Sequence, residues 1–518
     1  MANRLRFAGN YINSHHRLFR RCCSSISDIT RIPLSKSIPH IIPYQYATTN
    51  RSRYETKVTT LNNGIRVASE NTYGNFMTVG VALDSGPRYG LPFPAGIQHF
   101  FEKLAFSSTA QYENRDVILQ ELEKYGGISD CQGTRDTLLY AVSAERKGLA
   151  SMVNLLSEVI LTPKITEDEL QMTRAAIGFE LESMDMQPDP EPILLEMIHA
   201  AAYKGNSLGL PSFSPKESLP LINRETLLTY LNVYHRPERM VIAGVGMEHE
   251  HLVDLAQKYF EPKIPTWVSE GNLVDQTVQP DYSIAQYTGG ILKVEKDLSN
   301  VSLGPTPMPE LAHLVIGLES CSHKDPDFVP YCVLNMMMGG GGSFSAGGPG
   351  KGMFSRLYIN VLNRHEWIYS ARAYNHAYND GGIFCIHASS HPSNLKQLSD
   401  VILKEFTDML QAVPEMELSR SKRQLQSMLL MNLESRPVVF EDIARQVLSN
   451  GVRQTDQFYF DEIEKVTDED IHRVAARMLK TKLTAAALGN LNQLPKYSTL
   501  QETLINSETR KSKMFSIF

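Results

Sequence analysis

The chain has 518 residues, enough for two or three domains. Its hydrophobic content of 42 % and charged content of 21 % are typical of a soluble globular protein. No apolar run approaches the roughly 18 residues that a membrane-spanning helix needs. Six cysteines in so long a chain, with no CxxC pair among them, argue against a disulfide framework and against a structural zinc-thiolate site.

The net charge of −6 hides an uneven distribution. Residues 1–50 contain seven basic residues and a single acid, Asp28, so the remainder has 44 basic and 56 acidic residues and a net charge of −12. A basic, Ser-rich segment without a continuous apolar core predicts a mitochondrial transit peptide at 1–50, with a disordered basic tail as the alternative. The acidic body favours a basic partner and argues against nucleic acid.

Periodicity and breaker residues predict a regular series of elements from residue 55 onward. In chain order these are a hairpin of Lys57–Leu61 and Ile65–Ser69 around Asn62-Asn63-Gly64, a strand at Met77–Leu83, helices at Ile97–Phe106 and Val117–Tyr125, a strand at Asp136–Ala144, helices at Gly148–Leu161 and Asp168–Met184, and a strand at Met240–Gly246. Thr166 is the predicted N-cap of the helix Asp168–Met184, with Glu169 at capping-box spacing.

The same order of elements recurs in the second half of the chain. Four pairs of segments match in order, 226 to 248 residues apart: Gly64–Val67 with Gly290–Val294, Val79–Leu83 with Leu314–Leu318, Glu169-Leu170 with Glu417-Leu418, and Val241–Gly246 with Thr484–Gly489. This repetition predicts an α+β protein with two homologous α/β halves from an internal duplication, each a mixed β-sheet packed with helices. The expected boundaries are 55–261 and 283–500, with a polar, Pro-containing linker at 262–282 and a C-terminal tail at 501–518.

A stretch that is more than half glycine follows the apolar run Val329–Met338. It consists of Gly339, Gly340, Gly341, Gly342, Ser343, Phe344, Ser345, Ala346, Gly347, Gly348, Pro349, Gly350, Lys351 and Gly352. A phosphate cradle would need Ser or Thr after Gly350-Lys351, where this chain has Gly352. Bare glycine backbone can approach other backbones closely. The composition alone leaves a mobile binding loop and a mere spacer equally open.

The first predicted helix carries part of a metallopeptidase motif. An inverted zinc peptidase motif, H-x-x-E-H, needs two histidines one turn apart and a glutamate that polarises water. Here His99 and Glu102 are present, but Lys103 stands at the position of the second histidine. A lone H-x-x-E is common by chance, so the fragment by itself also fits an ordinary helix with a polar face.

The surrounding residues resemble the pitrilysin or insulinase-like family of metallopeptidases. The segments that carry this resemblance are Asp84–Tyr89, His99–Thr109, Arg135-Asp136, Phe179–Glu182 and the glycine-rich stretch running into Met353–Tyr358. The resemblance covers about residues 55 to 490 and implies a pitrilysin-like fold for both halves. It also implies that Glu180, 77 residues beyond Lys103, corresponds to the third zinc ligand of active members.

Lys103 is incompatible with the zinc site of an active member. A catalytic zinc site uses three protein ligands and leaves the fourth position to water. A protonated lysine has no lone pair to donate, and Glu102 and Glu180 favour its charged form. We therefore expect no metal and no catalytic residue in this chain.

The resemblance is to a non-catalytic member of the family. It implies a heterodimer with a homologous catalytic beta subunit that carries the zinc, acting in the mitochondrial matrix. Together the two would cleave the basic amphipathic presequences of imported precursor proteins, with the glycine-rich stretch helping to bind them. The alternatives are a structural core subunit of the respiratory cytochrome bc1 complex at the inner membrane, both roles together, and, less favoured, an autonomous zinc endopeptidase. Asp380, in the predicted hairpin Ala371–Ala388, and Glu366 are guesses for acids that contact substrate.

Overall fold

A computed structural model describes residues 55–187, 190–298, 309–342 and 352–505. The predicted transit peptide therefore lies outside the described residues. From Thr56 onward the described residues form one compact unit, built on two six-stranded mixed sheets with helices packed against both. Across the described ranges, no helix combines the length and apolarity required to traverse a membrane.

The first sheet has the strand order β1-β2-β6-β3-β5-β4. Only β2 and β6 run parallel, and the other neighbours are antiparallel. The predicted hairpin is confirmed, because β1 and β2 pair antiparallel around the Asn62-Asn63-Gly64 turn. The strands are β1 (Lys57–Thr60), β2 (Arg66–Glu70), β3 (Phe76–Leu83), β4 (Ile128–Gly133), β5 (Leu138–Glu145) and β6 (Met240–Val245).

Eight helices lie between or after these strands along the chain, in the described residues up to 298. They are α1 (Ile97–Leu104), α2 (Arg115–Glu123), α3 (Leu149–Leu161), α4 (Glu167–Asp185), α5 (Glu191–Ala202), α6 (Arg224–Tyr234), α7 (His249–Phe260) and α8 (Thr266–Ser269). The capping box predicted at the start of α4 is present, with the Thr166 hydroxyl accepting from the Glu169 N–H and the Glu169 carboxylate accepting from the Thr166 N–H.

The second sheet has the strand order β7-β12-β8-β11-β10-β9, with β7 and β12 parallel. Its strands are β7 (Gly290–Glu295), β8 (Ala312–Glu319), β9 (Gly340–Gly342), β10 (Ile368–Ala377), β11 (Gly382–Ser390) and β12 (Thr484–Gly489). Its helices are α9 (Phe328–Met338), α10 (Leu395–Asp408), α11 (Glu415–Asn432), α12 (Arg436–Asn450), α13 (Asp456–Lys465) and α14 (Asp468–Leu479), with a π-helical turn at Leu357–Leu362.

The two sheets repeat one topology. The run β2-β6-β3-β5-β4 of the first sheet corresponds strand by strand to β7-β12-β8-β11-β10 of the second, with the same parallel pair and the same antiparallel pairs. Helix α4 corresponds to α11 in this repeat. The predicted fold class, two homologous mixed-sheet halves, is therefore confirmed. Strand β1 extends the first sheet beyond β2, and strand β9 extends the second sheet beyond β10. Neither strand has a counterpart in the other sheet.

One helix from each half packs against the sheet of the other half. Helix α5 packs Leu194 and Ile198 against the second sheet, whereas α12 packs Phe440 and Ile443 against the first. All four side chains are buried. Because one face of each sheet is covered by a helix from the other half, the two halves form one structural unit and not two independent domains joined by a linker.

Two segments outside the expected halves are packed against the body of the protein. The segment predicted as a linker contains α8, whose Trp267 is buried with its ring 5.9 Å from that of His235. A helix over residues 497–505 runs from the second half into the predicted tail, and its Leu504 is buried in the second core. Buried apolar side chains hold both segments to the body of the protein.

Candidate functional site

The incomplete metallopeptidase motif lies on α1, whose entry is shaped by Gly96. This residue has a φ of 74°, and a Cβ atom there would lie 2.3 Å from the Cα of Ser214. Only glycine combines this left-handed conformation with such a close approach. The Ser214 hydroxyl donates to the Gly96 carbonyl at 2.6 Å, which fixes the start of α1 against the 212–214 loop.

His99 is buried and held on both sides of its ring. Its Nδ1 accepts from the backbone N–H of Ser214 at 3.4 Å, so Nε2 carries the proton and donates to Oε2 of Glu180 at 3.1 Å. Phe213 contacts the ring edge-on, with centroids 5.5 Å apart. Burial, which outweighs the nearby Glu180 charge, lowers the pKa of His99. The ring is therefore a neutral hydrogen-bond donor toward Glu180.

Lys103 contacts the same carboxylate oxygen. Its Nζ lies 2.7 Å from Oε2 of Glu180, which projects from α4. Partial burial favours the neutral form of Glu180, but the hydrogen bond from Lys103 and the charges nearby outweigh it and lower its pKa. One oxygen thus accepts from an imidazole and an ammonium together, and a conventional ion pair occupies the site.

Glu102 faces strand β4. A Cβ atom on Gly133 would lie only 2.1 Å from Oε1 of Glu102, so only glycine leaves room for the carboxylate. The Gly133 backbone N–H donates to that carboxylate. Burial is the largest influence on this group and, with the charge of Glu180, raises the pKa of Glu102 to about 7. The side chain is therefore poised between its neutral and charged forms near physiological pH.

The four motif residues come together as the resemblance implies, but they do not fit Zn²⁺. His99 and Glu180 are conventional ligands, whereas the third position presents an ammonium that is already bonded to Glu180. A cation at this position repels a divalent ion and has no lone pair for it. In the part of the chain that the structure describes, no group of three or more His, Cys, Asp or Glu side chains is placed to hold a metal ion.

The glycine-rich stretch begins as a strand. Gly340–Gly342 pair antiparallel with Arg372, Ala371 and Ser370 of β10 as β9. Gly340 has a φ of 101°, and a Cβ atom there would lie 2.0 Å from the carbonyl oxygen of Ala371. Residues 343–351 lie outside the described residues, so the structure does not test whether they form a binding loop. That hypothesis stays a prediction.

A buried ion cluster joins the two halves, and no pattern in the sequence predicts it. Arg88 donates to Asp136 at 2.7 Å and, through both terminal nitrogens, to Asp380 at 2.9 and 2.5 Å. Backbone N–H groups of Ala285 and Asn379 donate to the two carboxylates. Arg88 and Asp136 belong to segments that carry the family resemblance, and this cluster gives a physical reason for their presence.

The cluster changes the interpretation of one guessed residue. Asp380 lies in the turn between β10 and β11, as predicted, but its carboxylate is bonded to Arg88 and to the Ala285 N–H, so it has a structural partner. Glu366, the other guess, is exposed. Its contact with substrate stays a prediction.

Two family models match the chain. Residues 66–216 match insulinase, peptidase family M16, and residues 221–425 match the peptidase M16 inactive domain. A solved protease from Helicobacter pylori superimposes with a TM-score of 0.71 at 19 % identity, covering 84 % of this chain and 99 % of its own. That likeness supports the fold alone.

Curated relatives cover nearly the whole chain. The mitochondrial-processing peptidase subunit alpha of Homo sapiens is 54 % identical over 94 % of this chain and 92 % of its own length. The protein of the same name from Bos taurus is 50 % identical over 99 % and 98 %, and that from Caenorhabditis elegans is 41 % identical over 88 % of each.

Proposed function

Because the chain belongs to the insulinase family of peptidases, family M16, we propose that it is a non-catalytic subunit that helps to remove presequences from proteins imported into mitochondria. Its relatives are named subunit alpha of the mitochondrial-processing peptidase. The partner in this proposal is a homologous beta subunit with an intact zinc motif. The substrates are basic amphipathic presequences, and the compartment is the mitochondrial matrix.

The ion pair between Lys103 and Glu180 is the observation that supports a non-catalytic role. The Lys103 ammonium, 2.7 Å from Oε2 of Glu180, stands where active members of the family need a second histidine. His99 donates its Nε2–H to the same oxygen. The fold of the site is therefore kept while the metal chemistry is left to the partner subunit.

Strand β9 supports a role in receiving an extended peptide. Among the described residues it pairs with β10 on one side only, and on the other side the Gly340 N–H donates to the Ser355 hydroxyl at 3.1 Å, so the backbone that a peptide could reach lies toward Gly342. Such an edge can bind an extended peptide through its main chain, whatever the side chains are. The net charge of −12 beyond residue 50 attracts a basic peptide from a distance.

Reconstitution tests this proposal. The full chain is expressed alone, with a zinc-bearing homologous subunit, and with that subunit carrying a substituted zinc ligand. We expect a stable pair, and cleavage of a fluorogenic presequence peptide only in the second case. Cleavage by the chain alone would contradict the proposal, and recovery solely within a respiratory membrane complex would favour the structural alternative.

A further inference from the structure

The solvent-facing side of α4, together with its C-cap residue Met186, carries an apolar stripe. Met172, Phe179 and Met186 follow one another at intervals of seven residues and are 73 %, 72 % and 64 % exposed. Seven residues make nearly two helical turns, so the three side chains line one face over about 21 Å. Single exposed apolar residues are ordinary, but an aligned row of large ones marks an interaction surface.

The packing of α4 does not require this stripe. The helix is anchored by its opposite face, where Leu170, Thr173 and Ile177 are buried. Glu180, a member of the incomplete metallopeptidase motif, follows Phe179 directly, so the stripe runs beside the candidate site. It is therefore a feature of the surface and not of the core.

The internal duplication supplies a built-in comparison. Helix α11 is the counterpart of α4, with Leu418 buried at the position of Leu170. In this register, Met172, Phe179 and Met186 correspond to Arg420, Ser427 and Glu434, all polar or charged. The same fold thus tolerates a polar face here, and the apolar stripe needs a functional reason.

The charges around the stripe select a basic partner. Helix α4 carries six acidic residues and one basic residue, Arg174. Asp168 is exposed one turn before Met172, and Glu182 and Asp185 pair only at the surface, with Lys216 and Lys296. Surface pairs of this kind contribute little energy and open readily. An apolar row with an acidic rim is complementary to an amphipathic, basic segment.

We propose that the stripe Met172–Phe179–Met186 binds the apolar face of a basic amphipathic presequence, an inference that rests on the function proposed above. Its length matches an amphipathic helix of about four turns. Three side chains bury a few hundred Å² at most, whereas a stable subunit interface buries about 1,600 Å², which disfavours a subunit contact. Flexible methionines also adapt to ligands that differ in sequence.

Fluorescence titration of the reconstituted pair tests the inference. The probes are two labelled synthetic peptides with equal positive charge, one amphipathic and one with its leucines replaced by serine. Replacing the stripe by glutamine (Met172→Gln, Phe179→Gln, Met186→Gln) should weaken binding of the amphipathic peptide roughly tenfold or more. The difference in affinity between the two peptides should shrink as well. Met416→Gln, which alters a methionine 79 % exposed on α11, is the matched control and should change nothing.

The outcomes separate the inference from the function beneath it. Equal affinities for the wild-type and triple-variant pairs would overturn the inference alone, and no binding by the wild-type pair would overturn both. Failure of the triple variant to form the pair would identify the stripe as a subunit contact and overturn the inference. Photocrosslinking from a benzophenone on the apolar face of the peptide uses the unaltered protein. Labelling within residues 172–186 supports the inference, and labelling elsewhere contradicts it.

Discussion

Arg88 and Asp380 lie 292 residues apart in the chain and form a two-pronged ion pair across the halves of the protein. Asp136 accepts from the same guanidinium, so one buried cation serves two carboxylates. Removing one member of a buried pair leaves an uncompensated charge, which costs far more than the pair itself contributes. Stability of the joined halves therefore depends on Arg88.

We predict that Arg88→Met lowers the free energy of unfolding by about 3 kcal/mol at pH 7, because two carboxylates are left facing each other without their cation. Urea unfolding monitored by circular dichroism measures this. The loss should be smaller at pH 5, since protonation relieves the repulsion in the variant. Glu366→Gln, at an exposed acid, should unfold like the wild type, and a similar midpoint for both variants would contradict the prediction.

A second prediction uses the raised pKa of Glu102. An unfolded glutamate has a pKa of 4.5, whereas Glu102 in the folded protein has a pKa of about 7. The folded state therefore binds more protons between these values, and this group makes stability fall as pH rises from about 4.5 to about 7. Glu102→Gln removes this pH dependence. The free energy of unfolding of the variant minus that of the wild type should therefore be more positive at pH 8 than at pH 5.

The matched control for Glu102 is Glu182→Gln on α4. Glu182 is exposed and pairs only with Lys216 at the surface, so its replacement should shift the unfolding midpoint little at either pH. Thermal unfolding at several pH values provides the comparison. Parallel curves for the wild type and Glu102→Gln would show that the carboxyl titrates normally in the folded state.

Elements with strong local signals could be predicted from the sequence. The Asn62-Asn63-Gly64 turn and the Thr166 capping box specify their conformations through residues that are close in sequence. Strand β4 was missed because it lies at a sheet edge and all its residues are at least partly exposed, so it shows no apolar alternation. The exchange of α5 and α12 between the sheets depends on long-range packing, which no local pattern records.

The candidate site was also only partly predictable, because its residues could be identified from the sequence but their contacts could not. The incomplete motif supplied His99, Glu102 and Lys103, the resemblance supplied Glu180, and the structure brings the four together. The sharing of one Glu180 oxygen by His99 and Lys103 depends on side-chain geometry that spacing does not provide. Strand β9 was unpredictable because glycine disfavours strands, and its conformation is imposed by neighbours such as Tyr358, which packs on Gly341.

A third prediction concerns metal binding. The wild-type chain should purify with far less than one equivalent of zinc, and Lys103→His should raise zinc affinity, because it adds a ligand to His99 and Glu180. Lys103→Met removes the cation without adding a ligand and should leave the site unable to hold zinc tightly. Elemental analysis after dialysis against zinc measures both. Stoichiometric zinc in the wild type, or none in Lys103→His, would contradict the assignment of these positions.

A fourth prediction concerns the amino terminus. If residues 1–50 are a transit peptide, the mature protein should begin between about residues 22 and 55. Amino-terminal sequencing of the chain purified from mitochondria measures this directly. An intact Met1 in that material would remove the basis for a cleaved transit peptide.

The last prediction separates the strand from the rest of the glycine-rich stretch. Gly340→Ala should destabilise the fold, because its φ of 101° and the Ala371 carbonyl 2.0 Å from a new Cβ leave no room for a methyl group. Gly342→Ala, where a Cβ would meet nothing within 4 Å, is the matched control for β9. Deleting residues 343–350 while keeping Gly339–Gly342 should preserve the unfolding midpoint and pairing with the zinc-bearing subunit, yet weaken presequence binding and slow cleavage. If that deletion leaves affinity and cleavage rate unchanged, the segment is a spacer and substrate is received elsewhere.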